Sequence, residues 1–293
     1  MTTTAWVFPG QGSQEMGMGG DLMSMPLAQQ RFQQAEAILG WSVFDICQSE
    51  DDKVSSTLYT QPSLYVVESI LADLLMEQGH TPHFVAGHSL GEYVALYVAR
   101  VFDFEAGLKL VQQRSQLMSQ ASEGTMAALM GFKREQLDAV LEQTDGVVLA
   151  NDNSPGQVVI SGTPEAVQTV MDSIAAKRKV LLNVSGAFHS PLLADAAAAY
   201  QPMLDGVTFA AAQIPVLSNV DPIPTTDADL LKQRLTRQMT GAVRWREIAL
   251  QLEIEGVELM QEIGPGKVLT GLMKRTCKGV RLGNVSGLDA IAP

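Results

Sequence analysis

The chain has 293 residues, of which 46% are hydrophobic and 18% charged, so disorder and a coiled coil are both excluded. Its 20 basic residues are outnumbered by 32 acids, and the resulting net charge of −12 argues against a nucleic-acid-binding protein. The two cysteines, Cys47 and Cys277, are too far apart for a disulfide scaffold, and no apolar run is long enough to span a membrane. Without a visible leader at the N-terminus, these features predict a cytoplasmic protein of one large domain or two modest ones.

Strand and helix patterns alternate along the chain, which predicts an α/β protein. The expected elements before residue 122 are strands at 4–8 and 83–87 and helices at 63–78, 90–100 and 104–121. The expected elements after residue 190 are helices at 191–203, 228–239 and 245–255 and strands at 214–219 and 256–262.

The middle of the chain has the order β-α-β-β-α-β, which is that of a ferredoxin-like unit. The expected elements there are strands at 125–131, 146–150, 157–161 and 179–184 and helices at 133–143 and 164–176. We therefore predict a small domain, 124–186, inserted into a larger domain formed by 1–123 and 187–293. A cleft between two such domains is a common place for a substrate.

The strongest chemical signal is the G-x-S-x-G sequence at 87–91, which lies between a predicted strand and a predicted helix. Flanking glycines allow a sharp turn that exposes the Ser89 hydroxyl, whereas the alternative is a tight turn packed for structural reasons. The backbone N–H of Leu90 would then lie at a helix start, where it can donate to a developing oxyanion. The context favours Ser89 as a nucleophile.

A serine nucleophile needs a base, and the chain has four histidines. His80 and His83 are interpreted as ordinary loop residues before a buried strand. His88 is adjacent to Ser89, where its side chain points in a different direction, so it is predicted to line the pocket. His189 follows the last strand of the inserted unit at a domain junction, and it is the predicted general base.

The glycine-rich segment 8–14 follows the first predicted strand and has neither dinucleotide-binding nor P-loop spacing. A loop at the carboxyl end of a strand can bring a backbone N–H toward a neighbouring nucleophile, so Gln11 is the predicted second oxyanion donor. The segment 264–270 resembles a P-loop, but Val268 stands where Ser or Thr must follow the lysine. We interpret it as a structural turn, and no residue cluster has metal-ligand spacing.

Together these segments resemble the malonyl-CoA:acyl carrier protein transacylases over nearly the whole chain. The matching motifs are Pro9–Gln14, Gly87–Glu92, Gln113–Arg114, Asn153–Val159, Gly186–His189, Ser218–Asp221 and Glu262–Gly271. The resemblance implies an α/β-hydrolase-like large domain that carries a ferredoxin-like small one. It also implies ping-pong transfer of a malonyl group from malonyl-CoA, through a malonyl-serine, to the phosphopantetheine thiol of acyl carrier protein. That reaction supplies fatty acid synthesis and needs no permanently bound cofactor.

The resemblance also implies roles for single residues. Ser89 would be the nucleophile and His189 the general base and then acid, with an oxyanion hole formed by the N–H groups of Gln11 and Leu90. Arg114 would bind the substrate carboxylate as a bidentate partner, where the sequence alone favours a surface ion pair.

Further residues are placed in or near the pocket by the same resemblance. The Arg244 carbonyl would orient the histidine, since it maps to the family's Val-x-Trp segment. His88, Asn153 and Phe188 would line the pocket, with the bulk of Phe188 excluding methyl-branched acyl groups.

Basic residues are concentrated in two segments of this acidic chain, and acyl carrier proteins are themselves acidic. One segment, Lys177–Lys179, is expected to close the second helix of the inserted unit. The other contains five basic residues and no acid between 267 and 281. We predict that Lys274, Arg275 and Lys278 dock the carrier protein, although helix C-termini alone can account for one or two lysines.

Two other functions remain open on the sequence. One is a serine hydrolase or thioesterase that releases the acyl group to water, against which Arg114 argues because it suits a dicarboxylic half-ester. The other is a non-catalytic carrier-binding module, which would tolerate loss of Ser89 and His189. The sequence does not decide between fatty acid and polyketide synthesis.

Overall fold

A computed structural model describes residues 2–121 and 123–291 of the chain. The strands are β1 (Thr4–Phe8), β2 (Phe84–Gly87), β3 (Thr125–Phe132), β4 (Val147–Ser154), β5 (Gln157–Gly162), β6 (Ala176–Leu181), β7 (Val216–Leu217), β8 (Leu259–Ile263) and β9 (Arg281–Val285). The first helices are α1 (Pro26–Leu39), α2 (Val43–Gln48), α3 (Thr57–Glu77), α4 (Gly91–Val98), α5 (Phe104–Gln120) and α6 (Arg134–Glu142). The remaining helices are α7 (Pro164–Ser173), α8 (Ala194–Asp205), α9 (Ala228–Gln238), α10 (Trp245–Ile254) and α11 (Val268–Thr276).

The strands form two separate sheets, which confirms the mixed α/β class. The larger sheet is parallel in the order β7-β2-β1-β8-β9, and the smaller is antiparallel in the order β4-β5-β3-β6. In the parallel sheet β1 and β2 are neighbours, so the loops after Phe8 and Gly87 leave the same edge. This adjacency brings the glycine-rich loop beside the G-x-S-x-G turn.

Helix α3 lies at the centre of the larger unit, and its residues 60–75 are all buried. It packs against α4 and α5, whose apolar faces complete the main core. Because α3 is buried around its whole circumference, any hydrogen-bond partner of its polar side chains must come from inside the protein. Gln61 is one of them, and it faces the site described below.

The structure corrects some of the predicted bounds. Helix α7 ends at Ser173 rather than at 176, and the following strand begins at Ala176. The reason is pairing with β3, in which Arg178 lies opposite Met130. Lys177–Lys179 therefore lie in an edge strand and do not close a helix, and charged residues on an exposed edge discourage pairing with other chains.

Candidate active site

The G-x-S-x-G segment forms a tight turn between β2 and α4, and its glycines are required by close backbone contacts. A Cβ atom at Gly87 would lie 1.8 Å from the Gly91 carbonyl carbon, and one at Gly91 would lie 2.0 Å from the Phe8 carbonyl oxygen. Ser89 itself has a left-handed backbone, with φ of 52°, and its N–H donates to Asn219 Oδ1 at 2.7 Å. This strained turn presents the Ser89 hydroxyl to the cleft, as in a nucleophile elbow.

His189 lies next to that hydroxyl, as the sequence predicted. The distance from Ser89 Oγ to His189 Nε2 is 2.8 Å, and His189 is only 3% exposed. Its backbone is also left-handed, with φ of 56°. A hydrogen-bonded serine and histidine, each held in an unusual backbone conformation, form the pairing expected of a nucleophile and its base.

The other ring nitrogen of His189 is oriented by backbone carbonyls, but not by the one predicted. Nδ1 lies 3.0 Å from the Gln238 carbonyl oxygen and 3.1 Å from that of Gly241. The Arg244 carbonyl instead accepts the N–H groups of Glu247 and Ile248 in the first turn of α10. Because that oxygen is committed to the helix, the prediction for Arg244 is wrong, and Gly241 and Gln238 take its place.

The surroundings keep His189 neutral. Burial, followed by the positive charge of Arg114, lowers the pKa of His189 to about 3. Since both acceptors at Nδ1 are carbonyls, we assign the ring proton to Nδ1, which leaves the Nε2 lone pair directed at Ser89. The histidine is thus ready to accept the hydroxyl proton.

Arg114 lies on α5 and is buried, with 1% of its surface exposed, so it does not form the surface ion pair that the sequence alone favours. Its Nη1 donates to Gln61 Oε1 at 2.6 Å, and its Nη2 donates to Ser89 Oγ at 3.0 Å and Gln238 Oε1 at 3.2 Å. All three acceptors are neutral. Within residues 2–121 and 123–291, no carboxylate lies within ion-pair distance of this guanidinium.

A network of buried polar side chains holds the backbone of the G-x-S-x-G turn in place. Glu92 Oε2 accepts from the Gln238 side chain at 2.8 Å and from the Asn219 N–H at 3.1 Å. Gln238 Nε2 also donates to the Ser89 carbonyl at 2.8 Å, and Asn219 Nδ2 donates to the Gly87 carbonyl at 2.6 Å. Burial raises the pKa of Glu92. The network ties the turn to α9 and to the segment after β7.

Gln61 and Gln238 were assigned no role from the sequence, although each carries a signal. Gln238 lies three residues after Leu235 and seven after Leu231, so helical spacing places it on the buried face of α9. Gln61 lies on α3, which is buried around its whole circumference. A polar side chain on a core-facing position requires a buried partner, and both glutamines bind Arg114.

The two predicted oxyanion donors both belong to the lining of the cleft. Gln11 and Leu90 both line it, and neither backbone N–H donates to a protein acceptor in the described part of the chain. The approach of the two loops is close, since a Cβ at Gly10 would lie 2.4 Å from the His88 carbonyl oxygen. Backbone N–H groups on the two loops that meet at the nucleophile are suited to bind an oxyanion.

The remaining pocket residues join the two sheets. His88 Nε2 lies 2.9 Å from Asn153 Oδ1, and burial lowers the pKa of His88. His88 therefore pairs with β4 of the smaller sheet rather than with Ser89. The cleft between the sheets has a cavity volume of about 180 Å³, and Phe188 forms part of its wall. The other apolar lining residues are Met118, Met126, Val159, Leu182, Val184, Val268, Leu269 and Leu272.

The predicted docking residues lie at the far end of a helix that begins in the cleft. Val268 and Leu269 of α11 line the cleft, while Lys274 and Arg275 are exposed in its last turn. Lys278 is exposed just beyond the helix. Arg275 also donates to Gln157 Oε1 of the smaller sheet at 2.8 Å.

Two general features complete the description. Among the residues that the structure describes, no three His, Cys, Asp or Glu side chains are grouped so that they could hold a metal ion. None of the described helices combines the length and apolar character needed to cross a membrane.

The chain is similar to known proteins in both sequence and structure. The sequence profile of the acyl transferase domain matches residues 5–288. A malonyl CoA-acyl carrier protein transacylase of Synechocystis sp. is 55% identical over 98% of both chains. A crystal structure of the malonyl-CoA:ACP transacylase from Synechocystis sp. PCC 6803 superposes with a TM-score of 0.97 at 54% identity, covering 99% of each chain. A malonyl-transacylase solved in complex with a type II PKS acyl-carrier protein has a TM-score of 0.94 at 36% identity, covering 99% of this chain and 98% of the other.

Proposed function

This chain belongs to the malonyl-CoA:acyl carrier protein transacylase family, and we propose that it moves a malonyl group from malonyl-CoA to the phosphopantetheine thiol of acyl carrier protein. The reaction has two halves joined by a malonyl-serine intermediate, and its product supplies fatty acid synthesis in the cytoplasm. The observation that carries this proposal is Arg114, a buried cation that contacts the nucleophile and has no carboxylate partner among the described residues.

In the first half-reaction, Ser89 Oγ attacks the thioester carbonyl of malonyl-CoA while its proton moves to His189 Nε2. The bond from the carbonyl carbon to sulfur then breaks, and the proton passes from Nε2 to the leaving thiolate of coenzyme A. The Gln238 and Gly241 carbonyls stabilise the transient imidazolium through Nδ1–H. The second half reverses these steps, with the pantetheine thiol as nucleophile.

The negative charge that develops on the substrate carbonyl oxygen has two donors available. The N–H groups of Gln11 and Leu90 line the cleft and have no described protein acceptor. Leu90 lies at the N-terminus of α4, where the helix dipole adds to the donor. Loss of one such donor costs about 10²–10³ in rate in comparable sites.

Arg114 selects a malonyl rather than an acetyl group. A buried guanidinium is costly to leave unpaired, and its present acceptors are the neutral amides of Gln61 and Gln238 and the Ser89 hydroxyl. A carboxylate two bonds from the reacting carbonyl reaches this cation when the carbonyl carbon contacts Ser89. Phe188 lines the same cleft, and its bulk excludes methyl-branched malonyl groups.

The carrier protein docks near the cleft entrance on the basic end of α11. Lys274, Arg275 and Lys278 are exposed there, and an acidic partner gains from a local basic surface on an otherwise acidic chain. Because α11 begins at the cleft lining, a partner at its other end lies within reach of the pocket for a long prosthetic arm.

The architecture supports a finer description of the fold. We assign residues 1–123 and 187–293 to an α/β-hydrolase-like domain, of which residues 1, 122, 292 and 293 lie outside the described part. Residues 124–186 form the inserted ferredoxin-like domain. The strands lie in the spatial order β4-β5-β3-β6, and in the sequence a helix follows β3 and another follows β5. This arrangement supports the assignment.

The alternative of a serine hydrolase is disfavoured by the histidine environment. A typical hydrolase triad orients its histidine with an Asp or Glu, whereas the acceptors at His189 Nδ1 are two carbonyls. A polyketide pathway remains the second candidate for the product, because a structural relative is complexed with a type II PKS acyl-carrier protein.

Intact-mass analysis after mixing with malonyl-CoA tests the proposal. We expect one added malonyl group, which holo-acyl carrier protein removes rapidly and water removes slowly. Rapid loss to water in the absence of the carrier protein would indicate the hydrolase, and no adduct at all would refute both.

A further inference from the structure

Strand β4 of the smaller sheet makes direct backbone contact with the segment that precedes α10. The Val243 N–H donates to the Ala150 carbonyl at 2.8 Å, and the Asp152 N–H donates to the Val243 carbonyl at 2.9 Å. These two bonds form a parallel bridge between Asn151 and Val243. The smaller sheet therefore continues, for one residue, into the larger unit.

A cluster of charged side chains around one buried carboxylate lies at the same junction. The Asp152 side chain is 4% exposed, and its Oδ2 accepts from Arg134 Nη1 and from Arg246 Nε, each at 3.0 Å. Arg246 Nη2 lies 2.9 Å from the same oxygen. Arg134 begins α6 of the smaller unit, whereas Arg246 is in the first turn of α10. One carboxylate thus joins a cation of the smaller unit to a cation of the larger unit.

The residues on either side of this junction contact the active site directly. Gly241, two residues before Val243, provides a carbonyl that accepts from His189 Nδ1 at 3.1 Å. Asn153, the residue after Asp152, pairs with His88 beside the nucleophile. A displacement of β4 relative to α10 would therefore move an acceptor of the catalytic histidine.

We propose that Asp152, with Arg134 and Arg246, is an ionic clamp that positions the Gly241 carbonyl against His189. Asp152 touches neither substrate nor the reacting atoms, so it is a positioning residue. Its carboxylate holds the two units at the spacing at which the Val243 bridge forms, and the bridge in turn fixes the carbonyl. The kinetic test of this inference rests on the proposed function, whereas the structural test does not.

The size of the expected effect follows from the sensitivity of proton transfer to geometry. A misplacement of about 1 Å at a catalytic group can cost on the order of 10²-fold in rate. Asp152→Asn keeps the shape of the side chain and removes its charge, and two backbone bonds of the bridge remain. We therefore expect acylation of Ser89 to slow about tenfold, with the KM for malonyl-CoA nearly unchanged because Arg114 is not in the clamp.

Asp138→Asn is the matched control. Asp138 also pairs with Arg134, at 2.9 Å, but it lies on α6 within the smaller unit and is about half exposed. Its replacement removes an ion pair of the same arginine without touching the junction, so acylation should stay within about twofold of wild type.

The structural readout is the nuclear magnetic resonance signal of the His189 Nδ1 proton in protein with labelled histidine. Only four histidines are present, so the resonance can be assigned by His189 replacement. We expect Asp152→Asn to shift this resonance in the ligand-free protein and to slow acylation, while Asp138→Asn does neither. Arg246→Gln, which keeps the Arg134 contact, should shift it in the same direction, and this variant serves if Asp152→Asn does not fold.

An unshifted resonance in Asp152→Asn or, in its place, in Arg246→Gln would overturn the clamp, whatever the rate. An equal loss of rate in the Asp138→Asn control would overturn it as well. Failure of wild-type protein to form a malonyl adduct would refute the proposed function instead, and the resonance test would still decide the clamp.

Discussion

Replacing Arg114 by alanine removes the only guanidinium that contacts Ser89 Oγ in the described structure. The arginine is buried, so a malonyl carboxylate bound there would lose its partner in a site with little access to water. Breaking a buried charge pair costs about 3–5 kcal/mol. Since about 1.4 kcal/mol is tenfold in rate, malonyl transfer should fall about 10²–10⁴-fold.

The assay is single-turnover acylation of Ser89, followed by intact mass with malonyl-CoA and with acetyl-CoA in parallel. Acetyl-CoA has no carboxylate, so its acylation should change little or improve. Arg234→Ala is a suitable control, because Arg234 is equally buried but pairs with Asp221, outside the cleft lining. It should lower stability without altering the ratio of malonyl to acetyl transfer.

Equal losses for the two substrates in Arg114→Ala would refute this reasoning. Such a result would mean that Arg114 supports the fold, or the Ser89 hydroxyl, rather than the carboxylate. The reasoning would also be refuted if the Arg234→Ala control lost malonyl transfer but kept acetyl transfer.

Three further predictions concern the base, its titration and the carrier protein. His189→Ala should slow acylation by several orders of magnitude, and a variant within about tenfold of wild type would identify another base. Because the pKa of His189 is lowered to about 3, its neutral form persists as the pH falls through 6.5. The value of kcat/KM for malonyl-CoA should therefore not decrease as the pH falls through 6.5. A decrease there would mean that His189 titrates normally. Reversing Lys274, Arg275 and Lys278 to glutamate should slow transfer to the carrier protein, more at low salt, and leave self-acylation nearly unchanged; parallel changes in both half-reactions would exclude this surface.

Local features of the site were predictable because they depend on backbone chemistry. Gly87 and Gly91 are needed because a Cβ at either position would lie within 2.0 Å of other backbone atoms. The two glycines of the G-x-S-x-G motif show this requirement in the sequence. A serine between them, after a strand and before a helix, leaves few alternatives. The position of His189 at the end of the inserted unit likewise follows from the order of elements.

The parts that could not be predicted depend on contacts between distant segments. The acceptors at His189 are carbonyls, which every residue has, so nothing in the sequence separates Gly241 and Gln238 from Arg244. The Arg244 prediction was wrong because its carbonyl bonds within α10. The start of β6 was also misplaced, since pairing with β3 rather than local helix propensity decides where α7 ends.

The central claim is that Ser89 carries the malonyl group between two thiols. Its most direct test is peptide mapping of the adduct formed with malonyl-CoA, in wild type and in Ser89→Ala, which should fold normally because one hydroxyl contributes little packing. The account predicts a malonyl group on Ser89 in wild type, discharged by holo-acyl carrier protein, and no adduct in the variant. A stable adduct on another residue of Ser89→Ala, or transfer that continues without Ser89, would contradict it.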